Sequence, residues 1–256
     1  MAFGTPYGEG IYRRRIRLVR LAHGHTAGEL EDDFHHFRVD LHHDGTHIER
    51  ADGMFMRGPW TSCALAVDPL RAIEGQPLTR SSTGIGAYTP ARENCTHLFD
   101  LAGLVVAHAM RDEEERQYDI ELTDPSGERR ASRATIWRDG ALILEWQIEH
   151  GDIVAPTPWP DAPLRRGFIG WAEANLDADG AEAPIALRRI IDIAIGRGGN
   201  LDHVARSADI AGVMMGKCQA FTPEKVQLGR RNVGSARDFK DFPELLVADM
   251  HLRDRR

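Results

Sequence analysis

The chain has 256 residues, 42% of them hydrophobic and 28% charged, an ordinary globular composition that excludes wholesale disorder. Lys and Arg number 32 against 39 Asp and Glu, and the resulting net charge of −7 speaks against a general nucleic-acid binder. The longest apolar run, Leu101 to Ala107, falls far short of the ~20 residues of a membrane span, so no membrane partner is expected.

Met1 to Gly10 carries no apolar signal-peptide core, so a cytoplasmic protein is expected. From Ile11 to Leu21, arginines interleaved with aliphatics read as a strand with one basic face. Asp44-Gly45 is the pair favoured by a two-residue type I′ hairpin. That turn would set His43 against Thr46, His42 against His47 and Leu41 against Ile48. Phe37, Val39 and Leu41 then share a core face, and carrying the strand backwards puts Asp33 and His35 on it too. Polar groups on a core face must be paired or line a cavity, which singles out these two. Five histidines fall between His35 and His47; His42, His43 and His47 at the hairpin tip read as solvated.

Beyond Gly58-Pro59-Trp60, Thr61 or Ser62 can cap a short helix carrying Cys63, and Asp68-Pro69 restarts it towards a stop at Gly75. Residues Thr79 to Pro90 read as a long loop of the kind that covers a site. The strongest helix spans about Ala91 to Arg111, with His97, Leu101, Leu104, Val105 and His108 on one stripe. An antiparallel meander follows: strands around Tyr118–Leu122, Ala134–Arg138 and Leu142–Ile148, with a turn at Asp139-Gly140. Pro156, Pro158, Pro160 and Pro163 form a connector to helices at about Leu164–Leu176 and Ala183–Ile195, the latter with Pro184 in its first turn. The fold class is α+β, antiparallel hairpin and meander sheets covered by helices. Residues 11–115 form a hairpin–helix lobe and residues 116–256 a β-meander and helical lobe, together one integrated domain.

Two constellations carry chemistry. In Cys95-Thr96-His97, a helix N-terminus would favour thiolate at Cys95, and Asp100 lies one turn after His97, within reach to orient its ring. Alternatively Cys63, Cys95 and His97, with Asp33 or His35, supply the N, O and S atoms of a tetrahedral zinc or iron site. Against both stands the bland reading, in which Cys95 and His97 only fasten the core. Three cysteines (Cys63, Cys95, Cys218) cannot make a disulfide framework. No nucleophile elbow or nucleotide-binding glycine loop is present. A two-fold homodimer is the base-rate assembly.

The stretches LEDDFHHFRVDLHHDG, RGPWTSC, CTHLFDLAGLVVAHA, RDGALILEWQIEHGDIVAP, GFIGWA, LRRIIDIAIGRG and KCQAFTP, covering about Arg13 to Phe239, resemble the bacterial family catalogued as domain of unknown function 2889. The run DGTHIERADGMFMRGPWTSCALAVDPLRAIEGQPL is also similar to the hairpin, cysteine turn and helix of U-type iron–sulfur scaffold proteins. This second resemblance implies a scaffold-like architecture for residues 29–111, with Cys95 and His97 in the place of that family's later ligands. Where those proteins carry a cysteine before the hairpin, this chain has Asp33, Phe34, His35 and His36. The first resemblance implies catabolism of plant- or lignin-derived aromatic compounds by a lyase that expels formaldehyde without an organic cofactor. Such a reaction needs a base for a primary alcohol and an acid for a departing aryl oxygen. The implied base is Asp33 with His35, the implied acid is His97 steered by Asp100, and Trp60, Tyr88 and Trp171 would stack on the small aromatic substrate. The competing reading is a metal-binding or iron–sulfur scaffold-like carrier holding zinc or iron.

Overall fold

The computed structural model describes residues 10–155, 158–159, 162–163 and 166–248. Eight strands form one antiparallel sheet: β1 (Ile11–Ala22), β2 (His25–Asp32), β3 (His36–His43), β4 (Ile48–Arg57), β5 (Glu115–Thr123), β6 (Ser132–Arg138), β7 (Ala141–Glu149) and β8 (Asp152–Ala155). Their order, β4-β3-β2-β1-β5-β6-β7-β8, is two four-stranded meanders running in opposite directions from the seam between β1 and β5. The chain is therefore α+β as its pattern implies, and the sheet runs without a break across residue 115.

Between the meanders the chain crosses back through a 3₁₀ turn at Thr61–Ala66, α1 (Val67–Leu70), a long loop and α2 (Thr96–Ala109). α2 lies over β1, β2 and β3, burying Leu101, Val105 and Val106 completely. Its close seat depends on Gly28 of β2, where a Cβ would meet Val105 at 2.6 Å. α3 (Phe168–Asn175) packs on α4 (Ala178–Ile193), which covers β5, β6 and β7. The C-terminal half ends in short 3₁₀ turns and α5 (Ala211–Met214). Among the described residues, no helix is long and apolar enough to cross a membrane.

Several expectations change. The strand does not continue backwards through Asp33 and His35; β2 is a separate strand, and residues 33–35 are its turn into β3. Here the Asp32 carboxylate accepts from the backbone amides of Phe34 and His35, both at 2.8 Å, which closes the chain on itself. At the next hairpin Ile48 faces His43 and Ala51 faces Leu41, so the loop is four residues long. The Asp44 carboxylate explains it, accepting from the amides of Thr46 and His47 at 2.7 Å each. By contrast Asp139 and Gly140 both take positive φ, 52° and 81°, and make the expected tight turn. Thr61 and Ser62 cap nothing, since the turn carrying Cys63 begins after Trp60 with no side-chain cap. α4 starts earlier than expected because Asp177 caps it, leaving Pro184 inside the helix instead of in its first turn. Pro156, Pro160 and Leu164 lie outside the described residues.

Candidate active site

The turn between β2 and β3 delivers Asp32 and His35 to the first turn of α2, where His97 is waiting. Asp32 is completely buried. Its Oδ2 accepts from the Tyr12 hydroxyl at 2.7 Å and from Arg14 Nη2 at 2.6 Å; its Oδ1 lies 3.1 Å from His35 Nδ1. The His35 ring stacks on His97 with centroids 3.7 Å apart, and His97 Nε2 sits 3.7 Å from Asp32 Oδ2. That nitrogen is buried and has no hydrogen-bond partner. Tyr12 and Arg14 arrive from β1, whose even-numbered side chains face the helices.

The electrostatics separate the roles. Burial works to raise the Asp32 carboxyl, but His35, Arg14 and His97 outweigh it and hold it well below the usual carboxylate range. Burial drives His97 well below an ordinary imidazole, helped by His35 and Arg14, while Asp32 pulls the other way. The cluster therefore presents an ionised carboxylate beside a neutral imidazole.

Arg14 also leads outward. Together with Ile16, Ser82, Thr83, Asp100, Leu104, Glu182, Ile185, Ala186 and Arg189 it lines a narrow cleft of about 20 Å³, room for a single water. The cleft lies over β1 between residues of α2 and α4, with Ser82 and Thr83 of the loop from Thr79 to Pro90 in its lining. Gly103 of α2 brings that loop close; a Cβ there would fall 1.8 Å from the Ser82 carbonyl oxygen. Within the cleft Arg189 Nη1 lies 2.9 Å from Asp100. Burial nevertheless pushes the Asp100 carboxyl up to about 6, against Arg189 and Arg14. Deep in the same wall Glu182 accepts from Tyr118 at 2.6 Å and from Arg116 at 2.9 Å.

Of the residues singled out in the sequence, His35 and His97 meet face to face. Asp33 is buried but turns away, bound to Arg197 and to the Arg13 amide, because it lies in the turn and not on a strand face. Asp100 pairs with Arg189 and does not orient His97; the His97 Nδ1 edge faces Thr96 and the Cys95 sulfur. Burial raises the Cys95 thiol well above its ordinary value and Cys63 to about 12, overriding the helix N-terminus, so neither is a ready thiolate. The expected set of Cys63, Cys95 and His97 is not brought together as metal ligands. Among the described residues the one cluster with that spacing is Asp32, His35 and His97, whose ligand atoms lie within 4.8 Å of one another.

The three aromatic candidates are dispersed. Trp60 packs on Phe221 beneath Arg231, Tyr88 bonds the Pro77 carbonyl, and Trp171 joins Trp159 and Phe168. None lines the cleft. Sequence reasoning missed Asp32, Arg14, Tyr12 and Arg189. The doublet Asp32-Asp33 was a usable signal, since Asp is a turn former that bonds its own backbone two residues on. No protein-family model matches the chain, and no curated protein matches it.

Proposed function

We propose that this protein is a carbon–carbon lyase that releases formaldehyde from small plant- or lignin-derived aromatic compounds by acid–base chemistry, without an organic cofactor. The observation that carries this reading is the neutral, buried His97 with an unpartnered Nε2 beside ionised Asp32, linked through Arg14 to a cleft holding Asp100. The family resemblance supplies the substrate class.

In this reaction His97 Nε2, which lies behind Arg14 and outside the cleft lining, takes the proton of a primary alcohol once the cleft opens to it. The alkoxide collapses to formaldehyde as its carbon–carbon bond breaks. The released electron pair forms a carbon–carbon double bond and expels an aryl oxygen from the neighbouring carbon. Asp100, raised to about 6, donates the proton that this oxygen needs. Arg14 and Arg189 offset the developing negative charge, and Asp32 stabilises the imidazolium. Atoms and electrons balance without an oxidant or reductant. The cleft has to widen before a ring can lie between its apolar walls, Ile16, Leu104 and Ile185. Purified protein incubated with aryl ethers bearing a vicinal hydroxymethyl group should yield formaldehyde and an alkene in equal amounts; no formaldehyde from any of them would end this reading.

The metal-carrier reading rests on the spacing of Asp32, His35 and His97. Both Asp32 oxygens already accept from Arg14, Tyr12, His35 and two amides, so a cation would have to displace strong donors. It predicts about one equivalent of zinc or iron per chain after chelator-free purification, and a drop in melting temperature when chelator is added. Elemental analysis separates the two readings.

A further inference from the structure

The turn that presents Asp32 and His35 is gripped by a side chain that touches neither His97 nor the cleft. Arg57, the last residue of β4, extends its guanidinium along the main chain of that turn. Its Nη2 donates to the Asp32 carbonyl at 2.6 Å and the His35 carbonyl at 3.3 Å, and its Nη1 to the Asp33 carbonyl at 3.1 Å. The same Nη1 donates to the Ser235 carbonyl at 2.8 Å, which anchors the guanidinium to the C-terminal segment. Glu31 Oε1 pairs with the same Nη2 at 3.1 Å. The His35 and Asp33 carbonyls also accept the backbone amides of Asp32 at 2.8 Å and Arg237 at 2.7 Å, so Arg57 adds a second donor to each, and only a planar fork with several N–H groups can reach all three carbonyls at once.

We infer that Arg57 is a positioning residue, which fixes the His35 ring against His97 by holding the carbonyls of residues 32, 33 and 35. His35 is then held at both ends of its own backbone: its amide on the Asp32 carboxylate, its carbonyl on the Asp32 amide at 2.8 Å and on Arg57 at 3.3 Å. With the main chain fixed, the ring has one way to reach Asp32 through Nδ1 and to lie on His97. The catalytic consequence rests on the lyase reading above; the grip itself does not.

Lysine at position 57 keeps the charge but cannot span three carbonyls. For Arg57→Lys, kcat for formaldehyde release should fall ~10–100-fold, as expected when reacting groups shift by an ångström or less, with KM changed less than about twofold. Amide hydrogen exchange at Phe34 and His35 should speed up at least ~10-fold while Leu104 and Val105 in α2 keep their protection, a local opening and not a global one. Arg237→Ala, which removes a charge near Glu31 but leaves the grip intact, should change neither reading. Wild-type kcat and wild-type exchange in Arg57→Lys would overturn the assignment, as would equal loss of protection at the turn and in α2. Should Arg57→Lys not fold, Glu31→Gln decides by the same pair of exchange sites, since Glu31 orients the guanidinium. If the wild-type protein releases no formaldehyde, the lyase reading fails while exchange at Phe34 and His35 still decides whether Arg57 holds the turn.

Discussion

Opposite influences meet on His97: burial keeps the ring neutral, and Asp32 lies 3.7 Å away, where it would stabilise an imidazolium if the proposed lyase uses this ring as its base. His97→Gln should keep the fold and lower turnover by ~10²–10⁴, the span of a lost general base, measured as formaldehyde released per minute. Asp32 serves structure as well as chemistry, because Arg14 is buried with it. Asp32→Ala would leave that cation unpaired, at ~3–5 kcal/mol, so denaturant titration should show a severely destabilised protein. Asp100→Asn bears on the acid. Since its carboxyl is protonated below about 6, the lyase proposal expects kcat/KM of the wild-type protein to fall as pH rises through about 6, and the asparagine variant to lose that limb along with most of its rate. His97 was legible because it starts the buried stripe of α2, whereas His35 was singled out from a strand face it does not occupy and Asp100 as a partner for His97 that pairs with Arg189 instead. Arg14 was not: one arginine in IYRRRIRLVRL looks like the next, and only the strand's alternation decides which one is buried.

Among the elements, the loop from Thr79 to Pro90 depends most on a single position. A methyl group at Gly103 would collide with the Ser82 carbonyl, a backbone atom that cannot simply rotate away. Gly103→Ala should destabilise the protein by ~1–3 kcal/mol and raise KM, because Ser82 and Thr83 form part of the cleft wall. The β3–β4 loop offers a milder test. In Asp44→Ala, amide exchange at Thr46 and His47 should accelerate while the strands keep their protection, since that carboxylate accepts both amides. The long helix and the later meander were readable from periodicity. β2 was not, because its outward side chains, Glu29 and Glu31, are themselves buried in ion pairs, so the run HTAGELED shows no wet face. Both hairpin errors have one cause: an aspartate side chain satisfied amides that a backbone-only turn would have left to the strands.

For the molecule as a whole, buried carboxyls set the pH range of stability. Asp100 and Asp33 are raised by burial, to about 6 and about 7, above their unfolded values. Their contribution is complete below pH ~4 and is lost as pH rises through 6 to 7. Asp32 is depressed, so its contribution is present above pH ~4 and is lost on acidification. The melting temperature should therefore pass through a maximum on the acid side of neutrality, and Asp100→Asn should flatten the decline between pH ~4 and about 6 when followed by calorimetry. The α+β class was legible from the alternation of its segments. That the two halves share one sheet was not, since no local pattern says which strands 100 residues apart will pair.

β1 has β2 on one side and β5 on the other, so its two edges are claimed by opposite halves of the chain. While the protein is being synthesised, the flank meant for β5 stays bare until the ribosome has added roughly a hundred more residues, a long-range closure of the slow kind. A truncated product ending before Glu115 would carry that bare flank permanently, an invitation to stack with its own copies into fibrous or amorphous deposits.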